Sequence, residues 1–452
     1  MADTAAHLVD RVLPEVPVRQ WVLSLPFALR YRLAYDAPLA SAVLGAFVRT
    51  VFGSLRRRSR KQWGVAGGRC GAVTFVQRFG DALNLNVHFH SLLLDGVYAQ
   101  GPGGALRFHP LPPPEDAEVE RLVGQVARRI ARLLERRGLG SQSDPMEADP
   151  LAEEQPLLAQ LYGASVAGRI ASGRRAGRRV LRVGDCIDPE ELPEPAGERC
   201  ASASGVSLHA NVAVPARDRQ RLERLCRYVA RPPVASERLS HLEDGRLLYR
   251  LKHRWRDGTT HVVFEPQELI EKLAALVPPP RFHLVRYHGI LGPCASERER
   301  VVPRSATAEE RARPSRRKPA VDAPAETSGT SAGHGREPPR SPDLGNPLAR
   351  ECLRATSAPA GAREPLPAPG RPTPRPRRLA WAELLRRVFA VDVLECPRCG
   401  GRMRLLAAIQ PPDVTQAILA CLDLPSRAPP VAAALPDTDE VEEGPGDFEA
   451  SV

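Results

Sequence analysis

Residues 70–94 contain two runs of alternating character that are separated by a short turn-forming stretch. Cys70 to Arg78 alternates in the manner of a strand, Phe79 to Asn84 reads as a turn, and Asn86 to Leu94 alternates again. Successive side chains of a strand point to opposite faces of a sheet, so such runs are typical of strands. The sequence therefore predicts an antiparallel β-hairpin here, which would form part of the core.

Strands and helices are both predicted around this hairpin. Further strands are predicted over Val18–Leu25, Val206–Val214, Leu247–His253 and Thr259–Phe264, the last two turning at Asp257-Gly258. Helical spacing of apolar residues is found over residues 38–60, 119–134, 216–230 and 265–276. The predicted fold class is α+β, with a mostly antiparallel sheet flanked by helices.

Composition divides the chain into four parts. Residues 1–294 have the pattern of a folded domain, in which residues 139–205 read as an insertion. Pro, Arg, Ser, Ala and Gly dominate residues 295–378, where aromatic residues are missing, so this segment is predicted to be a disordered linker. A small tail domain over residues 379–424 and an acidic tail over residues 425–452 follow.

Charge and motifs narrow the class of function. The 64 Lys and Arg residues exceed the 53 Asp and Glu residues, and a net charge of +11 favours a phosphate-bearing partner. We find no stretch of about 20 apolar residues, no secretory signal and no G-x-x-x-x-G-K-[ST] motif. These observations argue against a membrane protein, a secreted protein and a P-loop ATPase. The nine scattered cysteines favour a reduced, cytoplasmic protein.

His88 and His90 flank Phe89 within the second strand of the hairpin. Residues at i and i+2 share one face of a strand, about 6–7 Å apart, so both imidazoles can present to one divalent cation. Phe89 is then expected to point into the core. The alternative is a pair of histidines on a half-exposed face without a metal.

Tyr228 lies on the predicted helix over residues 216–230. Arg221, Arg224 and Arg231 fall at i−7, i−4 and i+3 and so share its face. A phenol among guanidinium groups suits attack on a phosphodiester, because arginine neutralises phosphate and favours the phenolate. The alternative is an ordinary amphipathic helix with a half-buried tyrosine.

Several runs of the sequence, in order, resemble one family. They are FVQRFGDALNLNVHFHSLLLDGVY (Phe75 to Tyr98), SLHANVAVPARDRQRLERLCRYVARPP (Ser207 to Pro233), WRDGTTHVVFEP (Trp255 to Pro266) and LVRYHGILGP (Leu284 to Pro293). These blocks resemble the rolling-circle transposases of bacterial insertion sequences, the insertion-sequence-91-like members of the HUH endonucleases. The resemblance covers roughly residues 7–295 and the tail domain.

The resemblance implies an HUH endonuclease core that nicks and joins single-stranded DNA at transposon ends and target. His88 and His90 would bind Mg²⁺ or Mn²⁺, and Tyr228 would form a 5′-phosphotyrosine intermediate. A third metal ligand is expected, with Gln77 as the first candidate and His209 as the second. Tyr287, His288 and Lys252 lie in or near matched blocks, without an assigned role.

The chain departs from the family pattern in two places. Some members carry a second tyrosine four residues away on the helix, but here Arg224 and Pro232 occupy those positions. The chain therefore resembles the single-tyrosine branch, and handling two strand ends would need a homodimer or sequential reuse of Tyr228. Members usually begin with a cysteine-rich zinc module, and this sequence is expected to lack it.

The tail carries Cys396-Pro-Arg-Cys399-Gly-Gly, which resembles half of a zinc knuckle. Cys421, Cys352 or a second chain would have to complete a four-ligand Zn²⁺ site. A redox or purely structural cysteine pair is the alternative.

The favoured function is therefore a DNA transposase in the cytoplasm, associated with the nucleoid. A rolling-circle replication initiator or relaxase would share the chemistry. An inactive DNA-binding remnant of a decayed element is the alternative from another class.

Overall fold

The chain contains both helices and strands. A computed structural model describes residues 1–139, 149–184, 197–255, 257–303, 379–404 and 412–422. These residues fall within one unit. The helices are α1 (Ala2–Arg11), α2 (Phe27–Tyr35), α3 (Ala37–Trp63), α4 (Asp116–Glu135), α5 (Pro150–Glu154), α6 (Pro156–Val166), α7 (Arg219–Val229), α8 (Pro266–Leu276), α9 (Trp381–Phe389) and α10 (Pro412–Cys421).

The strands form one large sheet and two small ones. The strands are β1 (Val18–Ser24), β2 (Gly71–Phe79), β3 (Leu85–Leu94), β4 (Gly96–Gln100), β5 (Leu106–Pro110), β6 (Leu181–Gly184), β7 (Cys200–Ala203), β8 (Val206–His209), β9 (Ala213–Val214), β10 (Leu239–His241), β11 (Leu247–Arg250), β12 (Thr259–Phe264) and β13 (Val285–Gly289). The large sheet has the order β13-β2-β3-β1-β8-β7, with β9 also paired to β1. The other sheets are β10-β11-β12-β6 and β4-β5.

The predicted hairpin is confirmed. β2 and β3 pair antiparallel, with Gln77 opposite His88 and Phe75 opposite His90. β1 pairs antiparallel with β3 on one side and with β8 on the other. The large sheet is thus antiparallel and flanked by helices, as the α+β prediction requires, and β3 lies near its centre.

The two faces of the large sheet carry separate apolar clusters. Phe89 and its alternate neighbours pack with residues of α2, α3 and α4 on the first face. Residues of α1 and α7 pack on the second face, with Phe75 and Leu92. Phe89 has no exposed area, so the prediction that it points into the core is confirmed.

Helix α3 corrects the sequence prediction about membrane-length segments. Among the described residues, this 27-residue helix is long and apolar enough to cross a membrane, with a window hydropathy of 1.4. However, 67% of that window is buried inside the protein. Burial of this kind is typical of a core helix, and α3 supplies Leu44, Phe47 and Val51 to the first-face cluster.

The segment predicted as an insertion contributes to the packed domain. Tyr162 on α6 belongs to the first-face cluster. β6 adds an edge strand to the second sheet by pairing with β12, which itself pairs with β11 as the predicted hairpin. Residues 140–148 and 185–196 of this segment lie outside the described residues.

Three boundaries differ from the predicted ones. α7 begins at Arg219 because the Asp218 side chain accepts the Arg221 N–H and caps the helix there. The strand predicted over Val206–Val214 is divided into β8 and β9. The folded chain also continues past residue 294, since Glu297 pairs with Arg69 and Val301 packs in the second-face cluster. The rest of the predicted linker and the acidic tail lie outside the described residues.

Candidate active site

His88 and His90 lie side by side on the second face of the sheet, toward α7. Their ring centroids are 4.9 Å apart. The side-by-side arrangement follows from the strand alternation. The half-exposed strand face offered as the alternative is wrong, because His88 is only 3% exposed and His90 only 4%.

The Nδ1 atom of each imidazole has a partner within hydrogen-bonding distance. His88 Nδ1 lies 2.9 Å from the carbonyl oxygen of Asn86, which can only accept, so the proton is on Nδ1 and the lone pair on Nε2. His90 Nδ1 lies 2.7 Å from the side-chain amide of Gln20 on β1. The amide of Gln20 can serve either tautomer, because it offers a donor in one orientation and an acceptor in the other.

Three buried atoms around this pair have no hydrogen-bond partner among the described residues: Nε2 of His90, Nε2 of His209 and Oε1 of Gln77. Burying an unpaired polar atom costs free energy, commonly about 1–3 kcal/mol. Such atoms are also ligands suited to a divalent cation, so the residues present fit a metal ion.

Gln77 and His209 approach the histidine pair from opposite sides. Gln77 lies directly opposite His88 on β2 and donates its amide N–H to the carbonyl of Val229, 2.9 Å away at the end of α7. His209 lies two strands from His90, with Val22 of β1 between them. The described residues contain no group of three or more His, Cys, Asp or Glu side chains placed to hold a metal. An amide oxygen is therefore the natural third donor.

The pKa of His90 lies well below its ordinary value. Burial is the main cause, and His88, Arg231, His209 and Lys252 add to it. Burial also lowers the pKa of His209. His90 and His209 are thus held neutral, which is the protonation state in which histidine binds metals.

Tyr228 occupies the last turn of α7, half-buried above the histidines. Its ring centroid lies 6.1 Å from that of His90. The guanidinium carbon of Arg231 lies 4.1 Å from the Tyr228 ring centroid, and the ammonium of Lys252 lies 4.9 Å from it. The Tyr228 ring therefore lies close to two cations and to the candidate metal ligand His90.

The three predicted arginines are not equivalent. Arg231 follows the end of α7, and its N–H donates to the carbonyl of Tyr228, which folds the chain back over the ring. Arg221 and Arg224 lie half-buried along the helix, and no described contact joins either side chain to Tyr228. Nε of Arg224 has no hydrogen-bond partner in the described part of the chain.

Sequence reasoning did not assign Gln20 or Lys252 to the site. The backbone N–H of Lys252 lies 3.0 Å from each carboxylate oxygen of Asp81, which fixes the loop that carries the lysine. The sequence offers one signal for Lys252: only four of the 64 basic residues are lysine, so a lysine in this chain stands out from the arginines. For Gln20, the corresponding signal is a polar glutamine within the mostly apolar run that forms β1.

The remaining candidates lie elsewhere. Tyr287 on β13 packs in the second-face cluster, whereas His288 pairs with Ala72, whose side chain belongs to the first-face cluster. Cys396 and Cys399 occupy a turn after α9, and hydrogen bonds from the Arg398 and Cys399 backbone lower the pKa of Cys396.

A protein-family model described as "Putative transposase" matches residues 71–300, a range that includes both histidines, Tyr228 and Lys252. No curated protein and no solved structure matches the chain. Since the family match covers just over half of the 452 residues, the chain belongs to this family of transposases.

Proposed function

We propose that the protein is a single-tyrosine HUH transposase that nicks and rejoins single-stranded DNA at the ends of its element. The observation that carries this proposal is the position of Tyr228, 6.1 Å from His90 between ring centroids and next to Arg231 and Lys252. A phenol, two cations and buried atoms suited to a metal are the groups that phosphodiester transfer needs.

His88, His90 and Gln77 would hold Mg²⁺ or Mn²⁺, with His209 as the other candidate ligand. When bound, the ion would polarise the scissile phosphate and offset the negative charge of the transition state. Gln77 also contacts the backbone of Val229, so the third ligand is tied to the helix that carries the nucleophile.

Tyr228 supplies the nucleophile. Its phenol loses a proton and attacks phosphorus, a bond forms between phosphorus and the phenolic oxygen, and the bond to the 3′ oxygen breaks. The 3′ oxygen takes up a proton and leaves as a hydroxyl. Arg231 and Lys252 stabilise the phosphate charge throughout. A 3′-hydroxyl of a second strand then displaces the tyrosine, so the bond is conserved without ATP.

One nucleophile per chain has a consequence for stoichiometry. Arg224 stands where a second tyrosine would lie. We propose that two strand ends are handled either by a homodimer or by sequential use of Tyr228. The partners are single-stranded DNA at the transposon ends and the target, and the site of action is the cytoplasm, on the nucleoid.

The test is covalent capture of labelled single-stranded DNA that carries the end of the element. The full chain is incubated with Mn²⁺ or Mg²⁺, and the protein–DNA adduct is resolved under denaturing conditions. Tyr228→Phe and His88→Ala should abolish the adduct. Tyr287→Phe is the matched control, because Tyr287 is a half-buried tyrosine on the same face, and it should retain the adduct.

Two other outcomes would change the proposal. An adduct in Tyr228→Phe would reject the assigned nucleophile. A folded wild-type chain that binds the DNA but forms no adduct would instead indicate an inactive DNA-binding remnant.

Zinc in the tail is a separate proposal. Cys396 and Cys399 supply two of the four thiolates of a tetrahedral site, and the same pair of a second chain would supply the others. One zinc per two chains, lost in Cys399→Ser, is the expected metal content. One zinc per single chain would reject sharing between two chains.

A further inference from the structure

A basic groove lies between α3 and α4, on the first face of the sheet and therefore away from Tyr228. Its volume is about 780 Å³. The lining residues are Ala46, Arg49, Phe52, Arg56, Arg129, Arg132, Leu133, Glu135 and Arg136. Five of these nine are arginine and one is acidic, so the groove is strongly cationic.

Helical spacing organises these arginines in two rows. Arg49 and Arg56 are two turns apart on α3, which separates them by about 10 Å along the axis. Arg129, Arg132 and Arg136 follow the i, i+3, i+7 spacing of one stripe on α4. Arg129 reaches across to α3, where its guanidinium donates to the hydroxyl of Thr50 at 2.8 Å.

The groove arginines differ from other basic residues on α3 or just after the end of α4. Arg58 pairs with Glu118, and Arg137 pairs with Asp36. In the described part of the chain, none of the five groove arginines forms an ion pair. Arg56, Arg129 and Arg136 donate to carbonyl or hydroxyl oxygens, and Arg56 also contacts the thiol of Cys70. Their positive charge is not neutralised within this part of the protein.

We propose that this groove binds the phosphate backbone of double-stranded DNA, as a second DNA site on each chain. Guanidinium groups recognise phosphate, and rows of them neutralise a backbone without reading its sequence. The one aromatic residue that lines the groove, Phe52, is only 6% exposed. It offers no platform for stacking bases, which a site for single strands would use. The duplex that flanks the cut strand is the expected occupant.

The proposal rests on the proposed function for its ligand, so its test measures binding without cleavage. The full chain is titrated with a labelled duplex and with a labelled single strand of the same length, in EDTA, over a range of salt concentrations. Arg49→Gln combined with Arg132→Gln removes two groove charges. Arg57→Gln combined with Arg128→Gln removes two exposed charges from the same helices outside the groove.

The groove variant should bind duplex about tenfold more weakly at 0.1 M salt. Its log–log salt dependence should fall by about 2, since each lost phosphate contact removes about 0.9. The control variant should bind duplex as the wild type does, and the groove variant should form the Tyr228 adduct on a short single strand at the wild-type level.

Three results would overturn the assignment: equal losses in both variants, a loss confined to the single strand, or no loss. A failure of adduct formation in the wild type, with duplex binding lost only in the groove variant, would reject the nuclease proposal and leave the groove assignment intact.

Discussion

The two faces of strand β3 are built from alternate residues, yet the polar atoms on them differ in their hydrogen bonding. On the first face, β3 contributes Val87, Phe89 and Leu93, and the hydroxyl of Ser91 lies 2.7 Å from that of Thr74. On the second face, the same strand contributes Asn86, His88 and His90. Oδ1 of Asn86 and Nε2 of His90 have no hydrogen-bond partner among the described residues.

Within β3, one set of side chains therefore contributes mainly to stability, and the alternate set forms part of the candidate site. On the first face of β3, apolar side chains lie beside the paired hydroxyl of Ser91, an arrangement that stabilises the fold. The second face keeps buried unpaired atoms, which cost stability and are typical of a binding or catalytic site. Adjacent residues of β3 should therefore respond to mutation in different ways.

Phe89→Ala should have the largest effect on stability. Removing a fully buried phenyl ring leaves a cavity, and the free energy of unfolding should fall by about 3–5 kcal/mol. Chemical denaturation measures this change, with Phe89→Leu as a control that should cost much less. The contrast between the faces would break down if His90→Gln destabilised the protein as much as Phe89→Ala.

Lys252→Met should slow adduct formation about 10- to 100-fold, equivalent to about 1.4–2.7 kcal/mol. The variant keeps the length of the side chain but removes the charge next to Tyr228. Single-turnover kinetics at saturating DNA measure the chemical step separately from binding. Lys252→Arg should retain part of the rate, and an unchanged rate in Lys252→Met would remove the lysine from the site.

His288 lies on the first face of the edge strand β13, where, unlike the hydroxyls of β2 and β3, its buried Nε2 has no partner among the described residues. Burial, together with Arg286, lowers the pKa of His288 to about 4 from 6.5. The unfolded chain therefore binds the proton first as the pH falls. The contribution of His288 to the free energy of unfolding is fully present above about pH 6.5. It declines as the pH falls toward about 4, by at most about 1.4 kcal/mol per pH unit. In His288→Gln, this part of the pH dependence of unfolding should disappear; an unchanged profile would contradict it.

Arg387→Ala should have the smallest effect, about 1 kcal/mol or less. Arg387 on α9 donates to Asp10 on α1 and to Glu223 on α7, but it is partly exposed and therefore screened by solvent. The expected result is faster proteolysis near residue 379, with little change in the unfolding of the main domain. Arg386→Ala on the same helix is the control, since its longer contact with Asp392 stays within the tail.

Local patterns predicted the hairpin and the histidine pair, because alternation within one strand determines which side chains share a face. The same reasoning placed Tyr228 and Arg231 near each other, although α7 ends at Val229 and the contact depends on the chain turning back after it. These features depend on residues close together in the sequence.

Gln20 and Lys252 could not be predicted in the same way. Gln20 reaches His90 because β1 lies between β3 and β8, and a single sequence does not reveal the strand order. Lys252 reaches Tyr228 through the contact between its loop and Asp81. The helix α3, by contrast, was predicted from its apolar spacing over residues 38–60, which is the face that the structure buries.

The strand order also has a consequence for synthesis. β1 is synthesised before all of its partners, because β3, β8 and β9 are completed only at residues 94, 209 and 214. During that interval, both edges of an apolar strand are exposed to pairing with other chains. Tyr228 and Lys252 are synthesised later still. The nascent chain therefore cannot assemble the candidate site until Lys252 has been synthesised.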